Sequence, residues 1–434
     1  MRQSQLFTKT LKEAPADETA VNAKLLARGG FVYKNSAGVY SYLPLGWRVI
    51  EKINKIIREE MNAIGGVEML MPALVDRKYL EQTDRFKLDV GFDVLGKKDK
   101  KAPYALGWTH EEVLTAIASK YISSYKDLPK AIYQIQTKFR NEARAKSGIL
   151  RGREFLMKDL YSFHVSEEDL FAYYEKVKEA YFNVFKRCGL DTYYALASGG
   201  EFTISNTHEF QAFADVGEDT ILYCSQCRYA ENSEISKLKE GGKCPNCEGN
   251  ISKSNAIEVG NIFPLGTKYS EAFGLEFQDE EGKKKPVVMG SYGIGVSRLM
   301  GTVVEIYHDK NGILWPKEVA PFDAHLIYIP SRDSNVKKAA DKLYDLLSPY
   351  GGSLVGRQKE GVEVLYDDRA DSTAGEKFAD ADVIGLPMRV VMSERTLEED
   401  SVEVKERDSD SGKIIKLEDV PKCFQNSSAI FQKT

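Results

Sequence analysis

The densest run of charge able to meet a polyanion is "KFRNEARAKSGILRGREFLMK". Here Lys138, Arg140, Arg144, Lys146, Arg151, Arg153 and Lys158 stand against only Glu142 and Glu154. Residues two apart in a strand share a face. A strand through "KAIYQIQTKFRNE" therefore turns Gln134, Gln136, Lys138, Arg140 and Glu142 one way and Tyr133, Ile135, Thr137 and Phe139 the other. After a loop containing Gly148, "RGREFLMKDLYSFH" can return antiparallel, with Arg151, Arg153, Phe155, Met157, Asp159 and Tyr161 on one face. Two arginines flanking a flat aromatic beside a carboxylate suit a nucleoside triphosphate. Guanidinium groups fork onto phosphate oxygens, Phe155 stacks on a base, and Glu142 accepts from an exocyclic amine. His164 falls on the opposite face, which gives it a structural role.

A second chemistry lies in "YCSQCRYAENSEISKLKEGGKCPNC". Cys224-x2-Cys227, a spacer of 16 residues and Cys244-x2-Cys247 form a zinc-ribbon pattern. Each pair fits one tight knuckle, and four thiolates close a tetrahedral Zn²⁺ shell with no open position, so the site is structural rather than catalytic. Cys188 and Cys423 stand alone and read as buried or incidental thiols.

These groups need elements to hold them. A chain of 434 residues implies two or three domains. "WRVIEKINKIIREEMNAI" carries an apolar stripe at steps of three and four, which predicts a helix over 47–64, stopped by Gly65 and Gly66. "VEMLMPALV" reads as extended, with Pro72 at an edge or strand end. From about Val319 strands alternate with helices, predicting a small, largely parallel α/β domain. The net charge of −5 and pI near 5.8 exclude a generic nucleic-acid coat protein. No apolar run approaches the length of a membrane span and no leader precedes the first apolar segment, so the expected location is cytoplasmic, with no membrane partner.

"FRNE", a loop and then Arg151-Gly-Arg-Glu-Phe155 resemble motif 2 of the class II aminoacyl-tRNA synthetases. "YQIQTKFRNE" and "REFLMKDLYSFH" resemble the bacterial prolyl-tRNA synthetases in particular. So do "TLKEAPADE", "YLPLGWRVIEKI", "ALGWTHEEVLT", "HEFQ", "IEVGNIFPLGTKYSE", "GSYGIGVSRLM" and "DDRADSTAGEKFADADVIGLPMRVV", in the same order along nearly the whole chain.

The resemblance implies a multidomain fold of mixed α/β and α+β class. A catalytic antiparallel sheet flanked by helices would occupy 1–223 and 258–317, a short zinc-ribbon-like insertion 224–257, and an α/β anticodon-binding domain 318–434. It implies proline and ATP as substrates, Mg²⁺ and structural Zn²⁺ as cofactors, tRNA(Pro) as acceptor, and a homodimer through the helix before Pro72. Arg140 would take the α-phosphate and the amino-acid carboxylate, Glu142 the adenine amine, Arg151 the γ-phosphate end, Phe155 the base and Arg298 the far phosphate, with Gln211 also on ATP. Gly290, Gly293 and Gly295 would allow close backbone approach.

Proline would meet Thr109, Glu111, Arg140, Met157, Asp159, His208 and Ser291. Glu363, Arg369 and Lys377 would face the anticodon. The family usually has proline where this chain has Trp108, and glycines at Thr203 and Ile204. Two alternatives stand beside this reading: an aminoacylation-deficient paralogue, and a class II synthetase for another small amino acid.

The family commonly carries a large editing insertion between motifs 2 and 3, for which the interval 231–256 is too short. Zinc would then staple a truncated insertion that cannot bury a core of its own. Clearance of mischarged alanyl-tRNA(Pro) would pass to a free-standing trans-editing protein.

Overall fold

The computed structural model describes residues 1–143, 145–200, 203, 206–348 and 361–425. The chain divides into two compact units. One holds residues 34–41 and 53–306, the other residues 1–33, 42–52 and 307–434.

The first unit is built on a nine-stranded sheet. Its working part is the expected hairpin. The strand Lys130–Phe139 pairs antiparallel with Glu154–His164, setting Lys138 opposite Phe155 and Gln134 opposite Asp159. Val288–Gly295 lies along the other side of Glu154–His164, with Ser291 opposite Tyr161 and Gly293 opposite Asp159.

The next strand, Ile251–Gly266, is 16 residues long and serves two partners. Its first half pairs with Asp219–Cys224, while its second half pairs with Thr207–Phe213 and Val288–Gly295. One continuous strand therefore runs from the cysteine region into the centre of the sheet. The helix Glu167–Arg187 buries Val177, Tyr181, Val184 and Phe185. Ser166 caps it through the Asp169 amide, acids fill its first turn and Lys186 and Arg187 its last, as the helix dipole favours.

The helix expected over 47–64 spans Pro44–Ala63, and its stripe from Val49 to Met61 is buried. Gly65 ends it in the left-handed region at φ 83°, with its amide on Asn62. Pro72 lies between two short strands, Val67–Glu68 and Leu74–Asp76.

In the second unit a five-stranded sheet has three parallel strands. Ala324–Tyr328 lies between Val364–Asp367 and Met388–Met392, with helices Ser334–Leu347 and Ala374–Ile384 as crossovers. Ala324–Tyr328 and Val364–Asp367 are buried at every position, as parallel strands covered on both faces must be. Two antiparallel strands, Ser401–Glu406 and Lys413–Lys416, complete the sheet.

Candidate active site

The hairpin floors a cavity of about 410 Å³. Arg140 stands just past the end of its strand, where its amide donates to Arg153 O at 2.8 Å and continues the pairing. Its guanidinium carbon lies 5.3 Å from the Phe155 ring centroid and has no hydrogen-bond partner among the described residues. Desolvation, then the charge of Arg298, pulls its pKa below the ordinary guanidinium value. Two cations held against each other in a cavity make a site for an anion.

Arg298 sits in the first turn of the helix Val296–Ile306, fixed by Nε to Leu150 O at 2.9 Å and Nη1 to Glu258 Oε2 at 3.0 Å. Ser297 anchors the same turn by accepting from the Leu156 amide at 2.9 Å. Glu142 and Arg151 line this end too, paired with each other at 2.9 Å, and Arg151 also reaches Glu218.

The other end of the cavity is acidic. Asp159 Oδ2 accepts from Gln134 Nε2 at 2.9 Å, Lys138 Nζ at 3.0 Å and Tyr161 OH at 2.8 Å. Oδ1 has no partner among the described residues and belongs to a cavity-lining side chain. Beside it Glu111 Oε1 accepts from Ser291 Oγ at 3.0 Å, and Oε2 accepts from Thr109 Oγ1 at 2.6 Å and Arg85 Nη1 at 3.0 Å. Met157 and Trp108 complete the wall. Trp108 is 4% exposed, and its ring fills the space beside Gly91, where a Cβ would come within 2.6 Å of Cζ3. Thr203 is buried and Ile204 lies outside the described residues.

A third wall carries Glu258 and Glu209. Burial, then the neighbouring Glu258 charge, pushes the Glu209 carboxyl up to about 8.

Ten of the expected substrate residues thus meet in one cavity, and two do not line it. His208 points to the other side of its strand, stacked on Tyr194 at 4.3 Å between ring centroids, with Nδ1 2.9 Å from Tyr174 OH. Strand parity explains this: Glu209, not His208, faces the cavity. Gln211 is buried behind Glu209, bonded to it at 2.9 Å and to Asp219 at 2.8 Å, after a register shift at Phe210 and Gln211. Arg85 is a wall residue that the sequence reading missed.

Residues 86–307 match the profile of the tRNA synthetase class II core domain (G, H, P, S and T), and residues 323–427 that of the anticodon binding domain. The proline-tRNA ligase of Bacillus subtilis is 33% identical, over 97% of this chain and 99% of that protein. That of Bacillus cytotoxicus is 34% identical, over 97% and 98%. The chain belongs to the prolyl-tRNA synthetase family.

The alignment with the Bacillus subtilis relative runs to 570 positions against 434 residues here, so this prolyl-tRNA synthetase family member lacks segments that its relative carries. The fold is also that of a solved prolyl-tRNA synthetase from Cryptosporidium parvum complexed with L-proline and AMP. The TM-score is 0.74 at 21% identity, covering 94% of this chain and 75% of that one.

Away from the cavity, the four cysteines of this family member converge. Their Sγ atoms all lie within 4.8 Å of one another, with 3.5 Å between Cys224 and Cys247 and 3.6 Å between Cys227 and Cys244. A Zn²⁺ with four bonds of about 2.3 Å spaces its sulfurs at about 3.8 Å, so the quartet fits the ion.

The two knuckles share one geometry. Arg228 and Glu248, each following a second cysteine, sit at φ 62° and 59°. Their amides return to Cys224 O and Cys244 O at 2.9 and 3.0 Å. The Cys224 and Cys244 amides in turn bond Tyr229 O and Gly249 O at 2.8 and 2.7 Å.

The three expected anticodon residues are engaged within their own unit. Lys377 is fully buried, its Nζ donating to Tyr328 O at 2.7 Å and pairing with Asp367, so it is turned inward rather than toward an RNA. Arg369 bonds Asp367 and, at 2.8 Å, Asp380, while Glu363 pairs with Arg48 and with Lys52.

Proposed function

We infer that this chain activates proline with ATP to form prolyl-adenylate and pyrophosphate, and then transfers the prolyl group to the terminal ribose of tRNA(Pro). The observation that carries this reading is the polarity of one cavity, with the unpartnered Arg140 guanidinium at one end and the Asp159 and Glu111 carboxylates at the other. An amino acid laid between them offers its carboxylate to Arg140 and its ammonium to the acids. The same carboxylate is then beside the α-phosphorus of an ATP whose base lies on Phe155.

Catalysis is positioning and charge neutralisation. The carboxylate oxygen attacks the α-phosphorus, the bond to the β-phosphate oxygen breaks, and Arg140 and Arg298 take up the charge at the two ends of the triphosphate. Glu142 exchanges its bond with Arg151 for the adenine amine, freeing Arg151 for phosphate. Mg²⁺ would be met by Glu258 and Glu209, whose mutual repulsion a cation relieves, and it supplies further charge neutralisation on the phosphates.

Zn²⁺ held by the four cysteines staples the shortened insertion, which leaves no cis-editing of alanyl-tRNA(Pro) and calls for a separate trans-editing protein. A homodimer is supported by the edge strand Val67–Glu68 and the segment that follows it, where Val67, Leu70 and Leu74 are exposed. No helix among the described residues is long and apolar enough to cross a membrane. A cytoplasmic enzyme fits this reading.

ATP-pyrophosphate exchange with proline, alanine, cysteine and threonine tests it. Exchange dominated by proline is expected. Exchange with none of them would favour an aminoacylation-deficient paralogue, and exchange led by another amino acid would move the specificity.

A further inference from the structure

Behind the amino-acid end of the cavity lies a second carboxylate that substrate cannot reach. Glu112 is 1% exposed and does not line the cavity. Arg85, 4% exposed, places Nη1 3.0 Å from Glu111 Oε2, 3.1 Å from Glu112 Oε1 and 3.1 Å from Tyr269 OH. Thr83 Oγ1 donates to Glu112 Oε1 at 2.8 Å. Despite burial, the two carboxylates hold Arg85 above the ordinary guanidinium pKa.

The charged groups at this end are Glu111, Glu112 and Asp159 against Arg85 and Lys138. His110 is held neutral by burial and by Lys138. Burial pushes the Glu112 carboxyl up and the Arg85 guanidinium opposes that shift; with all three carboxylates ionised they face two cations, and this end of the cavity carries one uncompensated negative charge. Buried charge imbalance is expensive unless a ligand removes it.

We propose that Arg85 and Glu112 are positioning residues that set this balance: Arg85 neutralises one of the two adjacent carboxylates, and the substrate's secondary ammonium supplies the cation that completes the set. The proposal deepens the reading given above, since it takes the acidic end as the amino-acid subsite. It assigns to Glu112, which makes no substrate contact, control over affinity for a charged amine.

The test compares proline with tetrahydrofuran-2-carboxylate, a ring of the same shape with oxygen in place of the ammonium nitrogen. In Glu112→Gln the pocket becomes neutral. The KM for proline in exchange should rise roughly tenfold or more, while the inhibition constant of the oxygen analogue and the KM for ATP move less than about twofold. A purely structural defect would weaken both ring compounds alike.

The double variant Arg85→Met with Glu112→Gln restores the single negative charge and should recover proline affinity relative to Glu112→Gln alone. Equal weakening of proline and the analogue, or an unchanged proline KM in Glu112→Gln, overturns the proposal whether or not the double variant folds. A wild-type protein without proline-dependent exchange overturns the functional reading and this proposal together. A wild type that exchanges normally beside an indifferent Glu112→Gln overturns only this one.

Discussion

Lys138 and Asp159 form an ion pair at the acidic end of the cavity, Nζ to Oδ2 at 3.0 Å with both side chains almost wholly excluded from solvent. Burial lowers the lysine pKa and Asp159 opposes that shift, so the carboxylate is what keeps the ammonium charged. Removing one partner of a buried pair strands the other. Asp159→Asn should therefore cost about 3 kcal/mol in denaturant unfolding and raise the proline KM. A variant of unchanged stability would mean that Lys138 is already neutral.

Gly293 can be changed without disturbing the fold. A Cβ there would meet only Met157 Sδ, at 4.0 Å, and otherwise project into open cavity, and the residue is not in the left-handed region. Gly293→Ala should keep the unfolding midpoint while lowering kcat/KM for exchange by roughly tenfold or more, since a methyl displaces ligand atoms from a close backbone approach. Loss of stability with retained activity would remove Gly293 from the substrate surface.

The cysteine quartet and the cavity share one strand, Ile251–Gly266, which starts four residues after Cys247 and carries Glu258 and Asn261 into the cavity wall. Metal analysis should find one zinc per chain, lost in Cys227→Ser. Hydrogen exchange should then speed up along the knuckles and residues 251–256 first, because folding of a small metal-stapled element is coupled to the ion. Unchanged exchange in zinc-free protein would mean that the sheet holds the ribbon unaided.

His325 lies buried in the parallel sheet of the second unit, with Nε2 2.8 Å from Gln3 Oε1, and burial lowers its pKa to about 4. Its ordinary value is about 6.5, so below that pH the unfolded chain binds a proton that the folded chain refuses. Stability should fall as pH drops from 6.5 toward 4, by at most about 1.4 kcal/mol per unit from this residue. Urea midpoints of wild type and His325→Gln across that range should converge on the acid side. Parallel curves would place the acid sensitivity elsewhere.

The hairpin was legible because its information is local. A period of two sorts "KAIYQIQTKFRNE" and "REFLMKDLYSFH" into a reactive and a structural face, and the hairpin then sets Gln134 opposite Asp159. The same rule applied to "THEFQAF" separates His208 from Glu209, whereas the register shift that turns Gln211 away is decided by pairing and leaves no local trace.

Arg85 was illegible for a similar reason. It stands 26 residues from Glu111 in a short turn entered through Asp84 at φ 58°, and an isolated arginine in a polar segment reads as surface. The inward turn of Lys377 is likewise a tertiary fact, created by the Asp367 carboxylate and the Tyr328 carbonyl. The strand Ser401–Glu406 was legible in principle, since buried Val402 and Val404 alternate with Glu403 and Lys405, whereas the edge strand Lys413–Lys416 has two adjacent isoleucines and no alternation to read.

The shortened insertion has a chemical consequence at the other end of the reaction. Alanine offers the same carboxylate to Arg140 and an ammonium to the same acids, and lacks only the two ring methylenes that proline lays against apolar wall such as Met157 and Trp108. Each missing methylene is worth only about 1 to 3 kcal/mol of discrimination, so binding alone separates the two by roughly 10²- to 10⁴-fold. On the reading that the chain has no editing site of its own, it should make alanyl-tRNA(Pro) that persists. Aminoacylation with labelled alanine should accumulate mischarged product, released only when a trans-editing activity is added. Alanine-dependent exchange undetectable at a sensitivity of roughly one part in 10⁴ of the proline rate would mean that the wall around Trp108 excludes small ligands by a stronger device than lost contact.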